Sequence, residues 1–465
     1  MPFRFASTLL LAALTLPLAA GAQQATAWLT MPDRSALLAE QSHRLDFTAA
    51  APSGPVIDVD DARRYQTMEG FGYALTGGSA MLLHHMSGPA RAALLHPIFT
   101  TEGDGIGVSY LRLTIGSSDM NANVYSYDDL PQGDTDPAMQ HFSLAPDEVD
   151  VLPVLKQILA INPRIGILAS PWSAPLWMKT NHAAQGGVLK PEDYDAYALY
   201  LVKYIQAMKA QGVTIHTLTI QNEPLNEKNT PSMLMISPEQ EDFIANHLGP
   251  AFAKAGIRTK ILLYDHNLDH PMYVTAILKD PAARKYVGGS AWHLYGGTVD
   301  AMTQVHDAFP DKGIYFTEQS ITQDPGQATL DIAQPVAEVT IGVSRNWART
   351  VLLWNLAADP DAGPHTGDGG CPVCYGALTI QGDRATPLLA WYVLGHASKF
   401  VPAGSTRVGS NDLPELPNVA FRTPAGKDVL VVSNPGAAAQ NFSVRSHGRS
   451  FHTSLAAGAV ATYVW

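Results

Sequence analysis

Two glutamates stand where an ionised side chain needs a reason. Glu223 follows the run Thr217-Leu218-Thr219-Ile220-Gln221-Asn222, and Pro224 stops the strand immediately after it. Glu318 closes Ile314-Tyr315-Phe316-Thr317 in the same way. A charge directly after a buried apolar strand is costly unless it is paired or working. Taken singly, either glutamate is explained as a salt-bridge partner on a rim. Facing one pocket, two carboxyls can divide their roles, one protonated as a general acid and the other ionised as a nucleophile. Trp172 and Trp354 end neighbouring runs. Either alone reads as core, but aromatic faces beside carboxylates suit a sugar ring, whose CH face stacks while its hydroxyls hydrogen-bond. Arg112, Asp119, Asn222, His293 and Tyr295 lie at or just past the ends of similar runs.

The elements that must position these residues form a regular series. From about Gln66 to Ser398, short apolar runs alternate with longer helical patterns. Met68–Leu75, Gly107–Ile115, Ile165–Ser170 and Ile215–Gln221 read as strands, as do Lys260–Tyr264, Gly289–Leu294, Gly313–Thr317 and Thr350–Leu356. Most lack strict polar alternation, as expected of parallel strands covered on both faces. The clearest helix is Pro191 to about Gln211, with Pro191 at its first position and Tyr194, Ala198, Leu201, Ile205 and Met208 on one face. Val149–Ile161, Glu239–Ala255 and Tyr273–Leu278 are further helices. Eight such strands predict an α/β fold, a closed (β/α)8 TIM barrel, whose working residues lie at the C-terminal strand ends. The glutamates are ~95 residues apart, close to three βα units, which puts them on strands four and seven. A doubly wound sheet would want a Gly-rich phosphate loop after the first strand, and Gly70-Phe71-Gly72 lacks the third glycine.

Past Phe400 the texture changes to short β-rich runs, Val419–Arg422, Val429–Ser433, Phe442–Val444 and Val460–Trp465, separated by turn residues. About 65 residues is small for an independent sandwich, so Leu45–Val59 is expected to lend strands. The predicted organisation is a leader over 1–22, a segment 23–66 contributing to a side β-sandwich, the barrel over 67–398, and the rest of the sandwich over 399–465.

Composition sets outer limits. The 465 residues are 46% hydrophobic and 15% charged, which excludes a small disulfide-stapled module and a disordered chain. A formal charge of -12 argues against a nucleic-acid partner. No apolar run past the N-terminus reaches the ~18 residues of a membrane span, so no stable membrane insertion is expected. Arg4, the apolar stretch Leu9–Ala20 and the small residues Ala20-Gly21-Ala22 occur in the order of a cleaved signal peptide. The expected location is therefore secreted or periplasmic. Cys371 and Cys374 lack the second pair a zinc site would need, and in an exported chain a surface disulfide closing their loop is the better reading. His266 and His270 have the spacing of a metal pair on a helix, but Asp265-His266-Asn267-Leu268-Asp269 is turn-prone and reads as a polar rim. GxSxG, HExxH and Walker A patterns are absent. No cofactor or metal is called for.

The sequence resembles glycoside hydrolase family 30, in the branch that includes lysosomal glucosylceramidase. The stretches that carry the resemblance are Glu69-Gly70-Phe71-Gly72, Arg112 through Asp119, Ser170-Pro171-Trp172 and Trp177-Met178-Lys179-Thr180-Asn181. They continue with Gln221-Asn222-Glu223-Pro224, Thr317-Glu318, Trp354-Asn355-Leu356 and Leu394-Gly395-His396 through Gly409. The resemblance implies a retaining β-glycosidase with Glu223 as acid/base and Glu318 as nucleophile. It further implies that Asp119, Trp172, Asn222, His293, Tyr295 and Trp354 form the sugar site, with Arg112, His293 and Tyr295 close to the nucleophile. Two stretches depart from the family. Gly77-Gly78 follows Ala74-Leu75-Thr76 where many relatives carry Asp, and Gly369-Gly370-Cys371-Pro372-Val373-Cys374 resembles bacterial members rather than the lysosomal enzyme. The implied substrate is a carbohydrate or glycolipid: glucosylceramide, β-1,6-glucan or a β-xyloside. A non-catalytic carbohydrate-binding protein on the same scaffold is the competing class.

Overall fold

The computed structural model describes Met1 and residues 23–465. The leader expected over 1–22 thus lies, apart from Met1, outside the described residues. Eight parallel strands close into a barrel: β1 (Gly70–Leu75), β2 (Tyr110–Ile115), β3 (Gly166–Pro171), β4 (Thr217–Thr219), β5 (Lys260–Asn267), β6 (Val287–His293), β7 (Gly313–Glu318) and β8 (Ala348–Leu353). Each corresponds to one of the predicted runs. Strands β1, β2 and β7 are buried at every position, which is why their sequences show no polar alternation. Tyr110, Leu168, Leu262, Ala291, Tyr315 and Leu352 fill the interior as one cluster, so the barrel is a packed core below its mouth. Gly72 serves that packing and not a phosphate: a Cβ there would come within 1.6 Å of the Tyr110 carbonyl oxygen.

The helix expected from Pro191 begins with a 3-10 turn, Pro191–Asp193, and continues as Tyr194–Ala210 with the predicted face buried. The Glu239–Ala255 segment is helical from Ser237 but widens to a π-helical stretch over Phe243–Leu248.

Two strands depart from regular pairing at the mouth. Ala291 and Trp292 of β6 pair with Tyr264 and His266, so Asp265 is an extra residue in β5. Trp292 and His293 pair with Phe316 and Glu318, so Thr317 is extra in β7. Bulges of this kind re-aim side chains and cluster near active sites. The turn expected over Asp265–Asp269 is thereby corrected: β5 runs on to Asn267, with Tyr264 and Asp265 at φ 74° and 65°. Pairing of His266 and Asn267 with Trp292 and His293, together with the Glu223 N–H on the Asp265 carbonyl, compensates the turn's local preference.

The second body is a β-sandwich. Its strands follow the order Ala39–Glu40, Gln24–Thr30, Val460–Val464, Asp428–Ser433, Asn418–Arg422, Thr406–Ser410, Val56–Thr67, Gln440–Ser446 and Arg449–Leu455, with Leu45–Asp46 also paired to Gln24–Thr30. Both ends of the chain therefore contribute. Gln24–Thr30 lies in the 23–66 segment expected to contribute, though its Ala and Thr give it little apolar signal of its own, and Thr26–Thr30 pair with Val460–Val464. Val56–Thr67 extends beyond the expected Val59 because its acidic and basic residues read as loop. His396, in the helix Leu389–Ser398, links the two bodies through Thr462 at 2.9 Å and Thr30 at 2.8 Å. Among the described residues no helix is long and apolar enough to cross a membrane.

Candidate active site

Glu223, Glu318, Asp119, Tyr295, Trp354, Cys371 and Cys374 line one cavity of about 720 Å³ at the C-terminal end of the barrel. Arg112, Trp172, Asn222 and His293 form the layer behind it. The site begins with backbone. Asn222 N–H donates to the Pro171 carbonyl at 2.7 Å and Glu223 N–H to the Asp265 carbonyl at 2.9 Å, so the residues after β4 are tied to β3 and β5. Glu223 is held at φ 45°, a left-handed conformation that a side chain adopts only when its surroundings dictate it.

The centre of the arrangement is Asp265, wholly buried and singled out by no sequence reading. Its Oδ2 accepts from Arg112 Nη2 (2.7 Å), Ser170 Oγ (2.7 Å) and Thr219 Oγ1 (2.8 Å). Its Oδ1 accepts from Thr317 Oγ1 (2.6 Å) and His293 Nε2 (3.1 Å). The two bulged residues, Asp265 and Thr317, are thus bonded to each other. A signal was present: an acid directly follows the apolar run Ile261–Tyr264, the same pattern that marks the glutamates.

From this centre two arms reach the glutamates. Arg112, also wholly buried, donates to Glu318 through Nη1 and to Asn222 Oδ1 at 2.6 Å, while its guanidinium lies 4.8 Å from the Trp172 ring centroid. Tyr295 adds a hydrogen bond to Glu318 Oε1 at 3.0 Å. On the other arm, His293 Nδ1 meets Glu223 Oε1 at 3.1 Å, and Asn226 Nδ2 donates to Glu223 Oε2 at 2.7 Å. His293 was expected among the sugar-holding residues. It has no exposure and both ring nitrogens face carboxylates, Glu223 and Asp265, with Glu318 Oε1 3.8 Å from Nδ1, in keeping with the expectation that it lies close to the nucleophile.

Charge follows from these contacts. Burial opposes protonation of His293, but Glu318 and the hydrogen bonds to Asp265 and Glu223 outweigh it and raise the imidazole to about 9. Burial likewise opposes the Asp265 carboxylate, yet Arg112 and His293 hold it well below the usual range. Glu223 would also be raised by burial, but the His293 hydrogen bond and charge bring it down to about 2. Both shifts favour an imidazolium–carboxylate pair across the His293–Glu223 hydrogen bond. Burial pushes the Glu318 carboxyl up against the pull of His293 and Arg112, with the Glu223 charge adding to the rise. Burial, then Glu318 and Glu223, carry Asp119 to about 8. Glu223, His293 and Glu318 each offer one atom within 4.8 Å of the others, as a metal site would. Both imidazole nitrogens already face carboxylates and Arg112 sits on Glu318, so protein cations meet the charge that a metal would neutralise.

Three further features complete the walls. Trp172 and Trp354 are stacked at a tilt of 30° with centroids 5.3 Å apart. Cys371 and Cys374 are joined in a disulfide, and both pack into the cluster formed by those tryptophans, so the bond belongs to the cavity wall as well as to the surface. The space beside Gly77 is taken by Asn121; a Cβ on Gly77 would lie 1.9 Å from the Asn121 amide nitrogen.

A barrel with paired carboxylates and stacked tryptophans at its mouth, flanked by a sandwich from both chain ends, defines a carbohydrate-cleaving enzyme. The family model described as "Glycosyl hydrolase family 30 TIM-barrel domain" matches residues 68–401, and "Glycosyl hydrolase family 30 beta sandwich domain" matches 404–463. The chain belongs to glycosyl hydrolase family 30 and is a glycoside hydrolase. It is 35% identical over 407 residues to "Endo-1,6-beta-D-glucanase BGN16.3" of Trichoderma harzianum, covering 82% of this chain and 81% of that one. It is 29% identical over 443 residues to "Lysosomal acid glucosylceramidase" of Mus musculus, covering 89% and 84%. The solved structure of "The endo-beta1,6-glucanase BT3312" superposes with a TM-score of 0.87 at 33% identity, covering 95% of this chain and 99% of that one.

Proposed function

We propose that the protein hydrolyses β-linked glucan with retention, Glu318 acting as nucleophile and Glu223 as acid/base. One observation carries this reading: a carboxylate oxygen of each lies within 4.8 Å of the other's on a shared cavity. Retaining glycosidases hold their carboxyls about 5–5.5 Å apart, whereas inverting ones need roughly 6.5–9.5 Å to admit a water. In the first step the proton on His293 Nδ1 passes to Glu223 Oε1, and Glu223 gives it to the glycosidic oxygen. Glu318 attacks the anomeric carbon as the C–O bond breaks, forming a glycosyl ester and freeing the leaving group. Glu223 then takes a proton from water, whose oxygen displaces the Glu318 carboxylate. Arg112 and Tyr295, two donors on Glu318, favour its ionised form for attack and departure.

The sugar is inferred from unmet polar atoms. Asp119 Oδ1 and Trp172 Nε1 are buried without a protein partner, and sugar hydroxyls would supply the donor and acceptor they lack. With Oδ1 held by Arg112, Asn222 keeps its amide donors for a ring hydroxyl. The cavity is also lined by Asn226, Lys228, Asn229, Asp269, His270 and Thr322, polar groups that suit a hydroxylated leaving group, beside the apolar Leu225, Pro372 and Val373. Two relatives named as endo-1,6-β-glucanases support a β-1,6-glucan as substrate. Proton NMR of the first-formed product tests the reading. β-Glucose or β-linked oligomers released first from β-1,6-glucan support it; α-product first, or a preference for xyloside or glucosylceramide, overturns it.

We also read residues 1–22 as a leader for export, in keeping with a disulfide that favours an oxidising compartment. N-terminal sequencing of the mature protein should begin at Gln23; retention of Met1 counts against export by this route.

A further inference from the structure

Three histidines are buried around the barrel and its junction, and one of them is unlike the others. His293 and His396 have both ring nitrogens in hydrogen bonds. His266 is 7% exposed, lines the catalytic cavity, and its Nδ1 is buried with no partner at all. Its ring is fixed by aromatic neighbours, with centroids 5.7 Å from Tyr264 and 6.4 Å from His293. The bulge at Asp265 sets its direction, because the extra residue shifts His266 into register with Trp292. A histidine kept only for packing has no cause to leave a buried nitrogen vacant at a cavity wall, where the lost hydrogen bond is a direct cost. Burial keeps the ring neutral, lowering it to about 4 against the pull of Glu223, and a neutral imidazole carries one donor and one acceptor. Either nitrogen can bond a sugar hydroxyl, which gives or accepts as the tautomer requires.

The position selects which sugar. Glu223 is the carboxylate that most affects His266, and the cavity residues next along the chain are Asn267, Asp269 and His270. Asp119, the unpartnered carboxyl assigned to the retained glucosyl unit, is not among the main charges acting on His266. If Glu223 protonates the departing oxygen, His266 is on the leaving-group side. Resting on the proposed function, we infer that His266 hydrogen-bonds a hydroxyl of the departing sugar unit and so selects a hydroxyl-rich pyranose over an apolar leaving group.

The test compares two substrates that share a glucosyl unit: a β-1,6-linked glucose oligomer and 4-nitrophenyl β-glucoside, whose leaving group has no sugar hydroxyls. His266→Phe should lower kcat/KM on the oligomer about ten-fold more than on the aryl glucoside, the worth of one hydrogen bond with its vacancy. His266→Gln, which keeps a polar atom, should recover part of the difference. If His266→Phe is unstable, His266→Gln against His266→Leu gives the same comparison, with thermal melts confirming folding. Equal losses on both substrates overturn the inference, since His266 would then act through Glu223. No loss on the oligomer also overturns it. If the unaltered protein cleaves neither substrate, the proposed function itself fails, a result separable from the other two.

Discussion

The barrel mouth and the barrel–sandwich junction each enclose a histidine completely, and the two behave oppositely. His293 is raised to about 9 and His396 is lowered to about 3. Burial opposes the charged form equally in both places, so the neighbours decide. Around His293 stand Asp265, Glu223 and Glu318. Around His396 stand two hydroxyls. Thr462 Oγ1 donates to the His396 carbonyl, so it accepts from Nδ1–H, and Thr30 Oγ1, already accepting from the Leu38 N–H, turns its proton to Nε2. The junction is satisfied by a neutral ring and excludes a proton; the mouth is satisfied by a cation and stores one. A fold-holding contact and a chemical one thus differ in partners, not in depth.

The sharpest way to break the contrast is to remove a carboxylate from the mouth. Glu318→Gln should lower kcat about 10⁴-fold or more if Glu318 is the nucleophile. It should also lower the His293 pKa, because Glu318 is the largest influence raising it. Steady-state kinetics and NMR titration of the imidazole measure the two effects in one variant. A drop in activity without movement of His293 would separate the glutamate from the histidine and weaken the shared-proton account.

Asp265→Asn should be next in size. It keeps the shape of the central residue but leaves Arg112 and His293 short of their shared anion, at a cost of about 3–5 kcal/mol in stability. An Asp that orients a catalytic His is commonly worth about 100-fold or more in rate. The alkaline limb of the pH–rate profile, expected near 9 from His293, should shift to lower pH in this variant. An unmoved limb would show that the proton Glu223 uses does not come from His293.

Asp265 also marks the limit of what the sequence discloses. The barrel was legible because eight doubly covered strands keep their apolar runs whatever surrounds them, as in Phe71–Leu75 and Leu111–Ile115. Glu223 and Glu318 were legible because each interrupts such a run. What stays hidden is register. The extra residues at Asp265 and Thr317 exist only relative to Trp292 of the strand between them, and a single chain read in order contains no such reference. The place of His293 near the nucleophile was expected, but its contact with Asp265 was not, since that contact involves the bulged residue. Within the segment 23–66 expected to join the sandwich, Gln24–Thr30 was not named as a strand because its partner, Val460–Val464, lies more than four hundred residues away.

Stability against pH separates the two histidines without touching catalysis. A raised pKa means the contribution of His293 is full below the unfolded value of about 6.5 and is lost as pH rises through about 9. His396, lowered to about 3, acts in the opposite window: stability is complete above about 6.5 and declines as pH falls toward 3. Each contributes a slope of up to about 1.4 kcal/mol per pH unit within its window. His396→Gln should flatten the acid side of a denaturation-midpoint profile, and His293→Gln should flatten the alkaline side. Both variants altering the same side would contradict the assignment of partners.

The smallest effect expected on the fold comes from the Cys371–Cys374 bond. A bridge across a sequence separation of three restricts the unfolded chain only slightly, about 1–2 kcal/mol at most. Yet both cysteines line the catalytic cavity and pack with Trp172 and Trp354, while Asn355 Nδ2 donates to the Cys374 carbonyl at 3.3 Å. Replacing both by Ser should therefore move the melting temperature by no more than about 3 °C, and raise KM for an oligosaccharide several-fold with a smaller change in kcat. Wild-type protein treated with a thiol reductant should behave the same way. Should the melting temperature fall sharply while KM holds, the ring would belong with His396 among the contacts that hold the fold. The opposite result would put it with His293, on the side of the molecule whose contacts are tuned to a substrate.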